Sequence, residues 1–385
     1  MEVIQVYNIV NDVTREVIGE SVVINEDLSN IVDVGTAVFN ANAVDNYVRG
    51  LVDRIGRVVF VDRPYRGNMP NILMTSMEYG AVVEKITMDN LPVAEQNESW
   101  ELQDRTSYDP NIFYKPQVSA KFFSKKVTFE VPISITDRQV RTAFTNAQQV
   151  NSFISMIYNA VETSLTLKIE ELSRRTINNM IGETIYSEYQ GAGLSTKSGM
   201  RAVNLLKLYN DYFDVDITKE EALLNPDFIR FAAYTIAKTS DRMTTLSTLF
   251  NVGGKPRHTP RDMQNVIMIS DFARAADVYL QADTFHDTYT KLLNADLVPF
   301  WQGSGTDYSW DSISSINIKT ASNNTVEADG ILCVIYDRDA LGVNNFDRRT
   351  TSNYNSKAEF TSMWYKYDAQ YFNDTNENFV VFFIA

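Results

Sequence analysis

Cysteine, histidine and long apolar runs are what this sequence has least of, and each scarcity removes a class of function. A single cysteine, Cys333, leaves no intrachain disulfide and suits synthesis in a reducing cytosol. It lies in the run Ile331, Leu332, Cys333, Val334, Ile335, where it reads as a small buried hydrophobe. The two histidines sit in different contexts, His258 in a Pro- and Arg-flanked loop and His286 at a helix end, so zinc-site spacing and a His-Glu-x-x-His pair are both absent. The nucleophile-elbow and P-loop patterns are missing too. Nothing nears the roughly 18 consecutive apolar residues of a membrane span. The first ten residues carry Glu2 and no basic region ahead of an apolar core, so no secretory leader is expected. The chain shows no block of about five or six like charges, no internal repeat and no low-complexity tract.

Two stretches imitate sites without meeting their requirements. Gly303, Ser304, Gly305 and Thr306 are Gly-rich but are expected neither to follow a strand nor to precede a helix, which a phosphate cradle needs. Asp211, Asp214, Asp216 and Glu220 have the wrong spacing for a calcium loop and lack its central glycine, so they read as a solvated turn before a helix. Any two of the many carboxylates could meet in the fold for acid/base work, yet no constellation stands out. Catalytic residues, metal ligands and cofactor-binding residues are therefore all expected to be none.

What is present is a globular chain. Its 385 residues are 44% apolar and 22% charged, enough for two domains. The formal charge of −14 argues against a dedicated nucleic-acid surface, since neutralising phosphates takes clustered Lys and Arg. Net repulsion keeps free subunits in solution.

The most informative feature is an extended arm over residues 80–135. Val127, Phe129, Val131, Ile133 and Ile135 alternate with polar or small residues, the period of a half-buried strand. The nearest partner in sequence is the segment 81–88, which predicts a hairpin closed by the long connection 89–117. A lone two-stranded ribbon is marginal in water, and a connection of that length in a compact domain is uncommon unless it is functional. Trp100, Tyr108, Ile112, Phe113 and Tyr114 are scattered through the connection. Aromatics on a segment with no core of its own suit a contact surface. The other reading, in which they fold back onto their own subunit, stays open at this point.

The remaining pattern is mixed. Residues 1–30 read as a short strand or hairpin followed by a loose arm, and 36–55 as an amphipathic helix capped by Gly56. Residues 145–182 give the longest helix. Thr145 and Gln148 form a capping box, and Val150, Phe153, Ile154, Ile157, Val161, Leu165, Ile169, Leu172 and Ile177 mark its stripe. Arg174 and Arg175 fall in its last turns and Gly182 ends it. About 36 residues make a rod of roughly 54 Å that needs neighbours along its length. Helices are then expected over 200–209, 226–242 and 272–282, buried strands over 265–270, 331–336 and 379–384, and paired strands over 358–385. The class is α+β with a mixed sheet.

In this order the parts resemble the major capsid proteins of tailed bacteriophages with the Hong Kong 97 fold, in particular those of small podoviruses of the phi 29 type (picovirus-like). The resemblance rests on Leu51-Val52-Asp53-Arg54-Ile55-Gly56 followed by Val58-Val59, on Thr142-Ala143-Phe144 leading to Phe153-Ile154 and Ile157-Tyr158-Asn159-Ala160, and on the ending Phe379-Val380-Val381-Phe382. It is specific over residues 31–181 and general over 195–350. It implies an N-terminal arm and helix (1–57), an E-loop hairpin (58–135), a peripheral domain with a spine helix (136–194), an axial domain (195–345) and return strands (346–385). The implied protein is not an enzyme. It is a virion shell protein, assembled in the host cytoplasm, that forms hexamers and pentamers of an icosahedral head. The resemblance also implies a scaffolding protein and a portal as assembly partners, non-specific contact with packaged double-stranded DNA, and no membrane.

Trp100, Tyr108, Phe113 and Tyr114 are the expected docking tip. Arg138, Arg141, Arg174, Arg175, Arg348 and Arg349 are expected in inter-subunit ion pairs. The type member's extra immunoglobulin-like domain is not expected after Ala385. Nor is the isopeptide bond of the fold's founder, since neither the arm lysines (Lys85, Lys115, Lys121, Lys125, Lys126) nor Asn344, Asn345, Asn353 and Asn355 align with that pair. Two rival readings remain: an encapsulin-type cellular nanocompartment, and a soluble enzyme using cleft carboxylates.

Overall fold

A computed structural model of the chain describes residues 3–18, 24–25, 29–40, 46–47, 72, 83–88, 91–139, 147–281, 293–303 and 307–385. The expected Gly56 cap, the Thr145 capping box, Arg141, His286 and the motifs at 51–59 and 142–144 lie outside them.

The chain opens with helix α1 (Val3–Ile18), where a strand is expected, and continues with α2 (Ile31–Asn40), which begins five residues before the helix expected over 36–55; most of 41–55 lies outside the described residues. Tyr7, Val10, Val13 and Val17 all face the core, and they recur every three or four residues. Helical period thus outweighs the β-branched composition that suggested a strand. Strand β1 (Val83–Met88) pairs antiparallel with β2 (Val118–Phe123). This corrects the expected hairpin partner. The alternating segment is β3 (Lys126–Thr136), and it belongs to the body, where it pairs antiparallel along its length with β11 (Phe360–Asn373). The projecting ribbon is therefore β1–β2 alone.

Helix α3 (Ala147–Tyr189) runs for 43 residues, which at 1.5 Å per residue is about 64 Å. Where its side chains are first described it shows one stripe, with Ile157, Val161, Leu165 and Ile169 buried at every fourth position. From Leu172 onward it is buried on several sides at once, because two sheets close over it. Gly182 does not end it. A Cβ there would collide with Ile318, so the missing side chain is what admits β7 (Ile316–Lys319) against the helix. The real stop is the left-handed pair Gln190 (φ 51°) and Gly191 (φ 86°). Arg174 and Arg175 consequently sit mid-helix, away from any dipole end.

The expected helix at 200 begins with strand β4 (Ala202–Asn204), followed by α4 (Leu205–Phe213). Asn204 caps α4 by accepting from the Lys207 amide at 3.1 Å. Helix α5 (Pro226–Met243) starts where Pro226 predicts, its Asn225 cap accepting from the Asp227 and Phe228 amides. Then come β5 (Gln264–Ile269), α6 (Ser270–Gln281), β6 (Asp296–Val298), β7, β8 (Thr325–Ala328), β9 (Ile331–Asp337), β10 (Leu341–Asn355), β11 and β12 (Phe379–Phe383).

The central sheet is mixed, in the order β4-β12-β9-β5-β6, with β12–β4 and β5–β6 parallel and the other pairs antiparallel. All seven residues of β9 are buried, Cys333 among them, and burial pushes that thiol well above its ordinary range. A second sheet, β10-β11-β3, alternates along β11, turning Met363, Tyr365, Tyr367 and Ala369 into the core. The closing strands β11 and β12 therefore lie in different sheets. Helix α3 packs against both, which makes it the axis of an α+β body.

Substituting Gly182→Val is expected to lower stability by about 1–3 kcal/mol, because the branched side chain overfills the contact with Ile318. Urea unfolding followed by circular dichroism measures it, and an unchanged midpoint would contradict this packing.

Candidate assembly surface

Among the described residues, the ribbon meets the body at its root. Val83 lies opposite Phe123, and both join Phe372 of β11 in a small buried cluster; the Phe123 and Phe372 rings are 5.0 Å apart. Lys85 lies directly opposite Lys121, a placement that would ordinarily repel. Here both ammonium groups converge on Asp374, whose side chain is 2% exposed: Lys85 Nζ is 3.2 Å from Oδ2 and Lys121 Nζ 3.0 Å from Oδ1. Lys121 also donates to Thr375 Oγ1 at 3.3 Å, and the Gln370 amide donates to the Phe123 carbonyl.

Burial pushes the Asp374 carboxyl up. Lys85, Lys121 and the Asn376 amide outweigh that and hold it below the usual carboxylate range. Glu377, 3.6 Å from Lys85 and 3.4 Å from Arg257, goes the other way. Its burial prevails over those two cations, aided by Asp337 and Asp374.

Beyond the root the ribbon is open. Its outer face turns Ile86, Met88, Val118 and Phe122 to solvent. Over 91–118 every side chain that is described is exposed. Trp100 is 96% and Phe113 83% exposed, and Tyr108 and Tyr114 are exposed with them. The local bonds are short-range, such as the Ser99 amide to Asn97 Oδ1 at 2.7 Å and the Asn111 amide to Asp109 Oδ1 at 2.9 Å. Of the two readings left open by the sequence, the tip does not fold back onto its own chain. An apolar segment of this kind, unburied in one copy, is what an association surface looks like before its partner arrives.

The arginines are spread over the body. The Arg174 guanidinium stacks 4.0 Å over the Phe300 ring, and that of Arg175 lies 5.9 Å from Tyr371. Arg348 lies 5.0 Å over Tyr367, while Arg349 binds Asp368 and, at 3.5 Å, Asp347. Burial raises the Asp368 carboxyl, but hydrogen bonds from Arg349 and Thr128 hold it below the ordinary range. Arg138 is exposed just after β3. The structure thus places the four aromatics on one projection and leaves the five described arginines apart from them on the body; Arg141 lies outside the described residues.

Of the two stretches that imitate sites, the acidic one runs from the end of α4 into a single helical turn, Lys219–Ala222, and the Gly-rich one lies outside the described residues beyond Gly303. Strand β6 precedes the Gly-rich stretch and a single turn of helix, Trp310–Ile313, follows it, contrary to expectation. That turn is too short to offer an anion site. Among the described residues no three His, Cys, Asp or Glu side chains group to hold a metal, and no helix is long and apolar enough to cross a membrane. The Lys85–Asp374–Lys121 clamp was not foreseen. Its members are 289 and 253 residues apart, and the two lysines read alone as surface charges.

The chain matches the family described as Phi29-like phage major capsid protein over residues 8–383. It is 26% identical over 188 residues to the major capsid protein of Bacillus phage GA-1, covering 46% of this chain and 37% of that protein. It is 24% identical over 160 residues to the major capsid protein of Bacillus phage B103, covering 41% and 34%. The chain thus spans about a third of the length of these curated relatives. Among solved structures, the capsid of Staphylococcus phage Andhra superposes with a TM-score of 0.51 at 10% identity, over 84% of this chain and 86% of that one.

The Asp374→Asn substitution is expected to loosen the ribbon at neutral pH by about 1–3 kcal/mol, read as faster amide exchange in β1 and β2. With a depressed native pKa, the Asp374 contribution is complete above the ordinary carboxylate value of about 4 and is lost as pH falls through the lower native value. Glu377, with its pKa raised, gains a proton earlier and acts in the opposite sense. The wild-type ribbon should therefore open on acidification below about pH 4, and the variant should lack that part of the response. Equal acid responses would show that Asp374 is not the anchor.

Proposed function

The chain belongs to the Phi29-like phage major capsid protein family and has the α+β capsid fold of the Hong Kong 97 type, and from that premise we propose that it assembles into the shell of a phage head. In this reading the β1–β2 ribbon with its 89–117 connection is the E-loop. Helix α3 is the spine of the peripheral domain, and the central sheet with α4, α5 and α6 forms the axial domain. Copies join as hexamers and pentamers. A scaffolding protein and a portal take part in assembly in the host cytoplasm, and packaged double-stranded DNA touches the shell without sequence preference.

The observation that carries the reading is the exposed aromatic tip on a ribbon whose root is fixed. Trp100, Tyr108, Phe113 and Tyr114 dock on an adjacent copy, so apolar surface left open in one copy is buried between two, at about 25 cal/mol per Å². The root clamp holds the ribbon ready for that contact, which reduces the ordering cost of association. Arg138, Arg141, Arg174, Arg175, Arg348 and Arg349 add inter-subunit ion pairs worth about 0–1 kcal/mol each at exposed positions. Catalysis has no place in this function.

Deleting residues 89–117 is expected to leave a folded monomer that no longer forms particles, since the side chains described over 91–117 are all exposed. Size-exclusion chromatography and negative-stain microscopy read assembly, and circular dichroism reads folding. Particles formed by the deletion variant would remove the tip from the assembly contact, and global unfolding would show that the tip serves its own subunit.

A further inference from the structure

A second apolar surface lies on the body, on α4 and α5 rather than on the ribbon. Five rings from α4 and α5 form one connected cluster. Tyr209 meets Phe213 at 4.8 Å, Phe228 at 5.5 Å and Phe231 at 5.5 Å, and Tyr212 meets Phe213 at 4.9 Å. Tyr209 and Phe228 are buried at its base. Tyr212 and Phe213 cap it in the open, 75% and 51% exposed, in an edge-on pair at 78°. Val215 and Leu224 are exposed beside them. Folding has already buried the part of this cluster that the core needs, and the two rings on top are surplus to it.

The charge around those rings is predominantly acidic. Asp211, Asp214, Asp216, Glu220, Glu221 and Asp227 lie on α4, between the helices or on the first turn of α5, against Lys207, Lys219 and Arg230; Lys238, Asp241 and Arg242 lie farther along α5. Each of the three cations is engaged: Lys207 with Asp211 at 2.6 Å, Lys219 with Asp329 at 2.7 Å and Arg230 with Asp227 at 3.1 Å. Glu221 serves the Thr218 capping box. Asp214, Asp216 and Glu220 have no ion-pair partner among the described residues, and all three are exposed. The loop that carries Asp214 and Asp216 is held onto the end of α4, with the Val215 amide 3.2 Å from the Asn210 carbonyl and Asn210 Nδ2 3.1 Å from the Ile217 carbonyl. Asp214 and Asp216 are therefore held next to the aromatic cap, and Glu220 follows on the single helical turn Lys219–Ala222.

We propose that this face, Tyr212 and Phe213 rimmed by Asp214, Asp216 and Glu220, docks a Lys- or Arg-rich apolar segment of a second kind of protein. Exposed aromatic faces attract ammonium and guanidinium groups, the rim neutralises their charge, and the segment's apolar residues cover the ring edges, Val215 and Leu224. Charge decides against a second copy of the same face, because two such rims would meet like to like. It decides against nucleic acid for the same reason. This contact is independent of the ribbon tip, so its failure leaves the assembly reading standing.

The test uses the full chain and a fluorescently labelled synthetic Leu/Lys amphipathic helix, with a Leu/Glu helix of the same pattern as control, in an anisotropy titration. The Leu/Lys helix is expected to bind and the Leu/Glu helix not to. Tyr212→Ser with Phe213→Ser should weaken binding about tenfold or more, and so should Asp214→Asn, Asp216→Asn and Glu220→Gln combined, which leaves the rings and the core untouched. Because the chain is acidic throughout, a matched neutralisation of Glu95, Glu101 and Asp104 on the ribbon tip serves as the charge control and should leave affinity unchanged. Equal loss in that control, undiminished binding in both face variants, or equal binding of the Leu/Glu helix would overturn the proposal. So would a self-association of the wild-type chain that the Tyr212→Ser, Phe213→Ser variant abolishes, since the face would then belong to a second copy.

Discussion

A buried carboxylate between two lysines is the constraint on which the projecting ribbon depends. Two antiparallel strands with no third neighbour hold together poorly in water, and among the described residues the apolar anchor is Val83, Phe123 and Phe372. Asp374 turns the repulsion between Lys85 and Lys121, opposite each other in the register, into a pair of contacts at 3.2 and 3.0 Å. Taking a charge into a largely buried site is costly unless it is paired, so the clamp favours the one arrangement in which both strands meet the body together. Everything farther out on the ribbon inherits its position from that point.

The clamp in turn is fixed by the long helix. Asn373, one residue before Asp374, donates from its side chain to the Thr176 carbonyl of α3 at 3.1 Å. The end of β11 is thereby tied to the middle of the helix just where the helix passes from a single buried stripe to burial on several sides. Helix, strand end, carboxylate and ribbon form a continuous mechanical path from the body's axis to the exposed aromatics. A stiff body with one apolar projection suits repeated contact between identical copies, because the cost of ordering the projection is met before association.

Much of this was legible in the sequence, and what was not has identifiable causes. Helices α3 and α5 and strands β5, β9 and β12 announce themselves through period, caps and uninterrupted apolar runs, all of which are local signals. The connection 89–117 was marked out by its prolines and polar residues, and its aromatics stand exposed as a contact surface requires. In the first helix, Val and Ile composition points to a strand and masks the three- and four-residue recurrence of Tyr7, Val10, Val13 and Val17. Gly182 looked like a helix end, whereas it records the approach of Ile318 from more than a hundred residues away. The partner of β3 was misplaced for a related reason: alternation says that a strand needs a neighbour but not which one, and β11 lies more than two hundred residues downstream. The clamp is non-local throughout. The run Tyr212, Phe213, Asp214 did carry a sequence signal, since two adjacent aromatics followed by acid at a helix end cannot both face a core.

The central claim is that the ribbon tip finds its apolar partner on another copy of the chain. Hydroxyl-radical footprinting of Trp100, Phe113 and Tyr114, in dilute subunits and in assembled particles of the same protein, tests it most directly. The account predicts strong labelling in the free subunit and marked protection in the particle, with Tyr365 and Tyr367 of the core protected in both. Labelling of the three tip residues that stays equally high after assembly would contradict it.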